Sequence, residues 1–355
     1  MGYRVIQWGT GNIGTRALAA ALEHPDLEVV GVRVYDPAKV GRDIGDLAGI
    51  ARAGIAATDD ADALVALDAD CVLHMPSRPD IDEVCRLLAS GKNVVTTCSE
   101  LFHPRRSQPP DVVVQLEKAC AEGGVSLHGT GSSPGFITEV LPLALLSMQR
   151  SLRRLAIHEF ADLSRRASPK LLFEVMGMGR RPGSVDRRRA AHLASSFGPS
   201  FEALGDAIGM PIESIDARTE VAVATTPTRI AAGEIEEGCI AGQRTVVTAR
   251  SGGADLITFV ATWYCTTDLD PVWELGATGW RVTVDGDAPF AVDLPFPIEP
   301  ERLGAMTPGY TAHRPVNVVA AVCEAPPGFV STMDLPVAPL ALVRSERERA
   351  GYPGE

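Results

Sequence analysis

Tyr3-Arg4-Val5-Ile6-Gln7-Trp8-Gly9-Thr10-Gly11-Asn12-Ile13-Gly14 opens the chain with a short strand-forming run, a glycine-rich turn and the start of a helical pattern that reaches His24. Gly9 to Gly14 spell G-x-G-x-x-G, a pattern that is weak in isolation. Here it follows a strand, opens a helix and leads to a second strand-like run at 28–34 with an acidic residue, Asp36, just beyond it. In that setting each glycine has a task. Gly9 permits the tight turn, Gly11 lets the backbone approach a pyrophosphate, and Gly14 lets helix and strand pack closely. Gly9, Thr10, Gly11, Asn12, Ile13 and Gly14 are therefore expected to seat a dinucleotide diphosphate on the positive end of the helix.

Further strand-like runs at 71–75, 93–97 and 125–128, with a weaker one near Ile55, alternate with helical patterns at 61–67, 81–90 and 111–122. That alternation predicts a Rossmann-type α/β fold, a doubly wound parallel sheet. After Gly135 the texture changes. An apolar helix at 136–148 and a strand at 155–162 precede a stretch at 164–209 read as helical, with arginine clusters at Arg165-Arg166, Arg180-Arg181 and Arg187-Arg188-Arg189. Strand-like runs at 220–225, 239–250, 256–266 and 279–284 then predict a second, α+β domain built on an antiparallel sheet. The expected division is a dinucleotide-binding domain at 1–135, a substrate-binding and dimerisation domain at 136–309, and a C-terminal helix at 310–340 that returns to the first domain. That helix is placed at 315–325, ahead of Pro326-Pro327-Gly328, and carries Asn317.

The 355 residues are enough for two cores, and 45% hydrophobic content is that of a globular chain. A net charge of -12 disfavours nucleic acid and anionic membrane surfaces as partners. No apolar run is long enough to span a bilayer, and the immediate entry into a strand leaves no leader peptide to read, so a cytoplasmic location is expected. The seven cysteines lack a CxxC, which argues against a disulfide framework. No metal site is expected, and the tail after Ser345 is expected to fray.

In open α/β sheets ligands bind beyond the carboxyl ends of the strands. Three such ends stand out: His74-Met75-Pro76-Ser77, Thr96-Thr97-Cys98-Ser99-Glu100, and the loop Gly129-Thr130-Gly131-Ser132-Ser133-Pro134-Gly135. His74, Pro76, Ser77, Gly131 and Asn317 join the expected cofactor site. Glu100 is the carboxylate at a strand end beside the expected hydride path, and partial burial there would suit it to acid–base work. The alternative is that Glu100 only caps a loop or pairs with Arg105 or Arg106. His74, His128 and His158 are rivals for proton transfer, and Cys98 for nucleophilic chemistry. Asp36 reads equally as a receptor for a ribose 2′-hydroxyl, favouring NAD, or as a helix cap before Pro37. Arg33, Lys39 and Arg42 nearby favour NADP, so dual use or a lean to NADP is expected.

Taken together, Gly9 to Gly14, Val94-Val95-Thr96-Thr97-Cys98-Ser99-Glu100-Leu101, Gly129 to Phe136, and Val316-Asn317-Val318-Val319 through Gly328 resemble the native amine dehydrogenase and 2,4-diaminopentanoate dehydrogenase family, relatives of dihydrodipicolinate reductase. The resemblance runs from Arg4 to about Pro336. It implies NAD(P)H-dependent reductive amination of small or medium aldehydes or ketones with ammonia, and the reverse oxidative deamination of amines, with Glu100 assisting proton transfer at nitrogen. It also implies a homodimer through the antiparallel sheet. Departures are Ser133-Pro134-Gly135 where the family shows Asn-Pro-Gly, and Ser99-Glu100-Leu101 where it shows Glu-Glu-Leu. Phe136, Leu172, Phe173 and Met176 are candidates for pocket lining. Competing readings are a dihydrodipicolinate reductase-like or other C=N/C=O reductase, and a non-catalytic dinucleotide sensor.

Overall fold

The computed structural model describes residues 2–183 and 187–336, without the side chains of Arg187, Arg188 and Arg189. The third arginine cluster and the tail therefore fall outside what is described. Two compact units form, one from Met1–Gly135 with the chain from Pro308 onward, the other from Phe136–Thr307.

In the first unit, strands β1 (Tyr3–Trp8), β2 (Leu27–Arg33), β3 (Cys71–His74), β4 (Asn93–Thr96) and β5 (Ser126–Gly129) lie in the order β5-β4-β3-β1-β2, every pair parallel. β3, β4 and β5 are buried along their whole length, as strands covered on both faces must be. Alternate residues feed two cores. Val5, Leu73 and Val95 pack with Ala17 and Leu18 of the first helix, while Ile6, Val72 and Val94 pack with Leu87 and Leu116. The first of these cores also takes Ala312, Val316, Val319 and Val322. A sixth strand, Gly328–Val330, adds to β5 in parallel; the proline–glycine run before it was read only as a helix stop.

The single helix expected at 315–325 is in fact two, Pro308–Asn317 with Pro315 inside it, then Val319–Cys323. Pro315 lacks the N–H of an interior helical residue, and the first helix stops two residues later. Near Ile55 there is no strand, only isolated bridges Asp43–Ala56 and Arg33–Thr58.

The second unit holds strands β6 (Leu152–Asp162), β7 (Ser214–Ala224), β8 (Thr228–Ile230), β9 (Gly233–Ile235), β10 (Ile240–Ser251), β11 (Ala254–Tyr264), β12 (Leu269–Asp270), β13 (Gly279–Gly286) and β14 (Phe290–Pro295). Seven of them form one sheet in the order β12-β7-β10-β11-β6-β13-β14, with β8 and β9 a separate hairpin. The large sheet is antiparallel except for the parallel pair β6–β11. The stretch 164–209 is less helical than its pattern implied: among its described residues only Lys170–Val175 and Arg187–Ala207 are helices. The longer one packs on β7 and β10, and its Phe197 ring lies 4.3 Å from that of Phe259 on β11. Leu172 and Met176, expected to line a pocket, are instead buried in a cluster with Ala222 and Ile235. Among the described residues no helix is long and apolar enough to cross a membrane.

Candidate active site

The glycine turn is built by close backbone approach. Gly9 has φ +93°, and a Cβ there would sit 2.9 Å from the Met75 carbonyl oxygen. A Cβ on Gly14 would sit 2.1 Å from the Gly9 carbonyl oxygen, a distance no real contact reaches. Beneath the turn, buried Gln7 donates from Nε2 to the Gly9 carbonyl at 2.9 Å. Gly11, by contrast, faces open space and starts the helix Asn12–Glu23 without a side-chain cap. The helix therefore presents its N-terminal N–H groups and its positive dipole end towards that space.

Beyond β2, Arg33 lies over two rings, its guanidinium carbon 5.9 Å from the Trp8 centroid and 5.2 Å from that of Tyr35. Both rings are tied to Glu83, by Trp8 Nε1 at 2.7 Å and the Tyr35 hydroxyl at 3.3 Å. Burial, followed by the Glu83 charge, pushes the Tyr35 phenol up to about 12. Asp36 accepts the Ala38 N–H at 3.0 Å and caps the short turn Pro37–Lys39, so the cap is the role its carboxylate has here. Lys39 reaches back to the glycine turn and donates from Nζ to the Thr10 carbonyl at 2.7 Å and to Thr10 Oγ1 at 3.3 Å.

Backbone hydrogen bonds stitch the strand ends into one edge: Gly9 N to Arg33 O at 3.0 Å, Met75 N to Trp8 O at 2.8 Å, Thr97 N to His74 O at 3.2 Å and Thr130 N to Thr96 O at 2.9 Å. His74 is completely buried and its Nδ1 meets Thr96 Oγ1 at 3.0 Å. Desolvation lowers it to about 4, so the ring is neutral and a poor proton carrier near neutrality. The Cys98 thiol donates to the Pro76 carbonyl at 3.5 Å, and burial pushes it up to about 11. A protonated, inward-facing thiol is not an activated nucleophile, which removes Cys98 as a rival.

Glu100 sits in the turn Ser99–Leu101 directly after β4. The turn packs tightly on the end of β5, where a Cβ on Gly129 would come within 2.5 Å of Phe102 Cα. The Glu100 carbonyl accepts from Ser107 Oγ at 2.8 Å and Gln108 Nε2 at 2.7 Å, so its backbone is held from two sides. Its side chain is exposed rather than half-buried as the sequence led us to expect. Arg105 pairs with Glu117 instead, at 2.7 Å. In the loop after β5, Gly131 is buried and packed near Pro134, Thr311 and Phe102. Ser132 Oγ and Thr311 Oγ1, 2.7 Å apart, tie that loop to the helix Pro308–Asn317. Ser77 is exposed and Asn317 half-buried, and among the described residues no hydrogen bond joins either to the glycine turn.

These residues fit a nicotinamide dinucleotide. A side chain at Gly9 or Gly14 would fill the cradle. Gln7 Oε1, Arg33 Nε and His74 Nε2 along the same edge are buried polar atoms without a hydrogen-bond partner among the described residues. Sequence reasoning did not find Gln7 or Glu83. Gln7 has no motif of its own, and Glu83 reads as an ordinary helix-surface acid. Of the other two histidine candidates, His128 is completely buried with its Nδ1 2.8 Å from the Val330 carbonyl, and His158 lies on β6 in the second unit, lowered by burial and then by Arg154 and Arg244.

Comparison with known proteins agrees with this architecture. The family model described as the 2,4-diaminopentanoate dehydrogenase C-terminal domain matches residues 137–351. An amine dehydrogenase of Streptomyces virginiae is 28% identical over 346 residues, covering 94% of this chain and 96% of the relative. The 2,4-diaminopentanoate dehydrogenase of Acetoanaerobium sticklandii is 23% identical over 385 residues, covering 97% and 96%. The solved structure of an amine dehydrogenase from Mycobacterium smegmatis superposes with a TM-score of 0.73 at 21% identity, covering 97% of this chain and 98% of that one, and shows the same fold. With more than half its length matched by that family model, the chain belongs to the 2,4-diaminopentanoate dehydrogenase family.

Proposed function

We propose that the chain is an NAD(P)-dependent amine dehydrogenase that oxidatively deaminates small amines and, in reverse, aminates the corresponding aldehyde or ketone with ammonia. The observation that carries this reading is Glu100, held by a pinned backbone at the same strand edge as the glycine turn, in a member of a dehydrogenase family. Gly9 to Gly14 would hold the pyrophosphate, with His74, Pro76, Ser77, Gly131 and Asn317 on the nicotinamide side. The bound cofactor supplies or accepts the hydride. Glu100 takes the proton from the ammonium so that the nitrogen lone pair can expel the hydride, and, once it has released that proton to solvent, its carboxylate charge steadies the positive iminium.

For the adenosine end, the capping bond of Asp36 and the cations Arg33 and Lys39 support a lean towards NADP, whose 2′-phosphate they would neutralise. A spectrophotometric screen of amines against both oxidised cofactors, and of carbonyls with ammonium against both reduced ones, tests the reading. We expect turnover in both directions with the higher kcat/KM for NADP. In Lys39→Ala that advantage shrinks by about ten-fold, the worth of one charged phosphate contact. No amine oxidised by either cofactor would defeat the assignment.

We further propose a homodimer formed through the second unit. One face of its large sheet carries a concavity of about 540 Å³ lined by Arg154, Arg218, Arg244 and Arg281 alongside Glu220 and Glu274. Charges of both signs on one surface let it meet a second copy of itself about a two-fold axis. Light scattering should give twice the 37.6 kDa chain mass, a proportion that high salt reduces, and a monomer at micromolar concentration would overturn the proposal.

A further inference from the structure

Glu83 has no part in the chemistry proposed above, yet its side chain is tied to both rings that carry Arg33. It lies in the first turn of the helix Ile81–Ala89, where its N–H is held by the cap residue Asp80 at 3.2 Å. One carboxylate oxygen, Oε1, accepts both Trp8 Nε1 and the Tyr35 hydroxyl. β1 and β2 pair with Trp8 directly opposite Arg33, and the Arg33 guanidinium lies over the Trp8 and Tyr35 rings together. Trp8 is completely buried, whereas Tyr35 is exposed, so packing fixes only one of the two rings.

Arg33 donates to the Val34 carbonyl at 3.1 Å and rests on the two rings, and among the described residues it meets no carboxylate. Its charge is therefore not matched by a direct ion pair, and the rings set its position. Glu83 acts on both of them. An N–H or O–H donated to an anion makes the indole or phenol more electron-rich, so its face holds a cation more strongly. The bond to the phenol also fixes a ring that solvent would otherwise leave free to turn away. With the phenol pushed up to about 12 by burial and then by the Glu83 charge, that donor keeps its proton near neutrality.

We infer that Glu83 is a positioning residue for cofactor choice: through Trp8 and Tyr35 it holds the Arg33 guanidinium ready for a ribose 2′-phosphate. The inference rests on the reading that Arg33 neutralises that phosphate. An arginine free to move must be ordered when the phosphate arrives, whereas a held one has already lost that freedom, a difference of about five-fold in affinity. A dinucleotide without the 2′-phosphate gains nothing from the held guanidinium. Glu83 thus acts on the choice between NADP and NAD through Arg33 and not by contact.

Calorimetric titration of the full chain with NADP+ and with NAD+ reads the ratio of the two dissociation constants, which should favour NADP+. In Glu83→Leu, which offers no acceptor, that preference should fall about five-fold with NAD+ affinity unchanged. Glu83→Gln, whose amide oxygen still accepts both bonds, should restore most of it. A merely structural role would weaken both dinucleotides alike, so equal losses, or an unchanged preference in Glu83→Leu, overturn the inference. Should Glu83→Leu fail to fold by circular dichroism, Tyr35→Phe keeps the exposed ring and drops only its bond to Glu83. It should lower the preference by about two-fold, and an unchanged preference there overturns the inference equally. Arg33→Ala tells the two readings apart. If it removes the preference while Glu83→Leu does not, Arg33 meets the phosphate unaided and the role of Glu83 alone falls. A preference unmoved by Arg33→Ala, or absent from the unaltered chain, removes both. Neither titration contains an amine, so the assignment of the reaction is tested separately.

Discussion

Replacing Glu100 with glutamine lowers kcat for amine oxidation by about 10²- to 10⁴-fold, the usual contribution of a positioned general acid or base. Glutamine keeps the length and planarity of the side chain but can neither take a proton nor carry a charge. The backbone contacts to Ser107 and Gln108 involve the Glu100 carbonyl and survive the change, so the turn after β4 stays in place. Dinucleotide binding, which depends on Gly9 to Gly14, should be preserved when titrated by quenching of protein fluorescence. A variant with undiminished kcat would strip Glu100 of its role and leave the proton to solvent.

Gly14→Ala has the second large effect, and it acts on the turn itself. The added methyl would lie 2.1 Å from the Gly9 oxygen and 2.9 Å from the Gly9 carbonyl carbon, both backbone atoms that no rotamer change can move aside. Overpacking of this kind costs about 1–3 kcal/mol, or roughly 2–10 °C in Tm for a unit of this size. Because the turn must open to accept the methyl, dinucleotide affinity should fall by more than ten-fold. Gly11→Ala separates the two consequences. Its methyl meets nothing within 4 Å, so Tm should hold while affinity falls, the lost space being that of the pyrophosphate. Equal melting and equal affinity in Gly14→Ala would remove the basis for the proposed cradle.

What could be read from the chain follows the range of the interactions involved. The glycine turn, β1 and the first helix are adjacent in sequence, and their pattern alone specified them. Asp36 left two options because cap and ribose receptor demand the same residue at the same place; the Ala38 N–H, two residues away, shows the cap. The hydrogen bonds of Trp263 and Trp280 to Glu159 gave no signal, since these partners lie 104 and 121 residues further along and each looks like an ordinary strand aromatic. Gly328–Val330 was hidden for another reason: three residues are too few for any periodicity, and the strand exists because β5 offers an edge to pair with. The late helix was shifted because Pro315 signals a start as readily as it tolerates an interior position.

The first unit is assembled from both ends of the chain, and this imposes an order on its synthesis. A nascent chain halted at Thr307 already holds every residue of the second unit. The first unit at that moment lacks Ala312, Val316, Val319 and Val322 from one of its two cores, and the strand Gly328–Val330 that covers the open side of β5. The segment made first is thus completed after the second unit, and β5 keeps an unpaired edge until Gly328–Val330 has been synthesised.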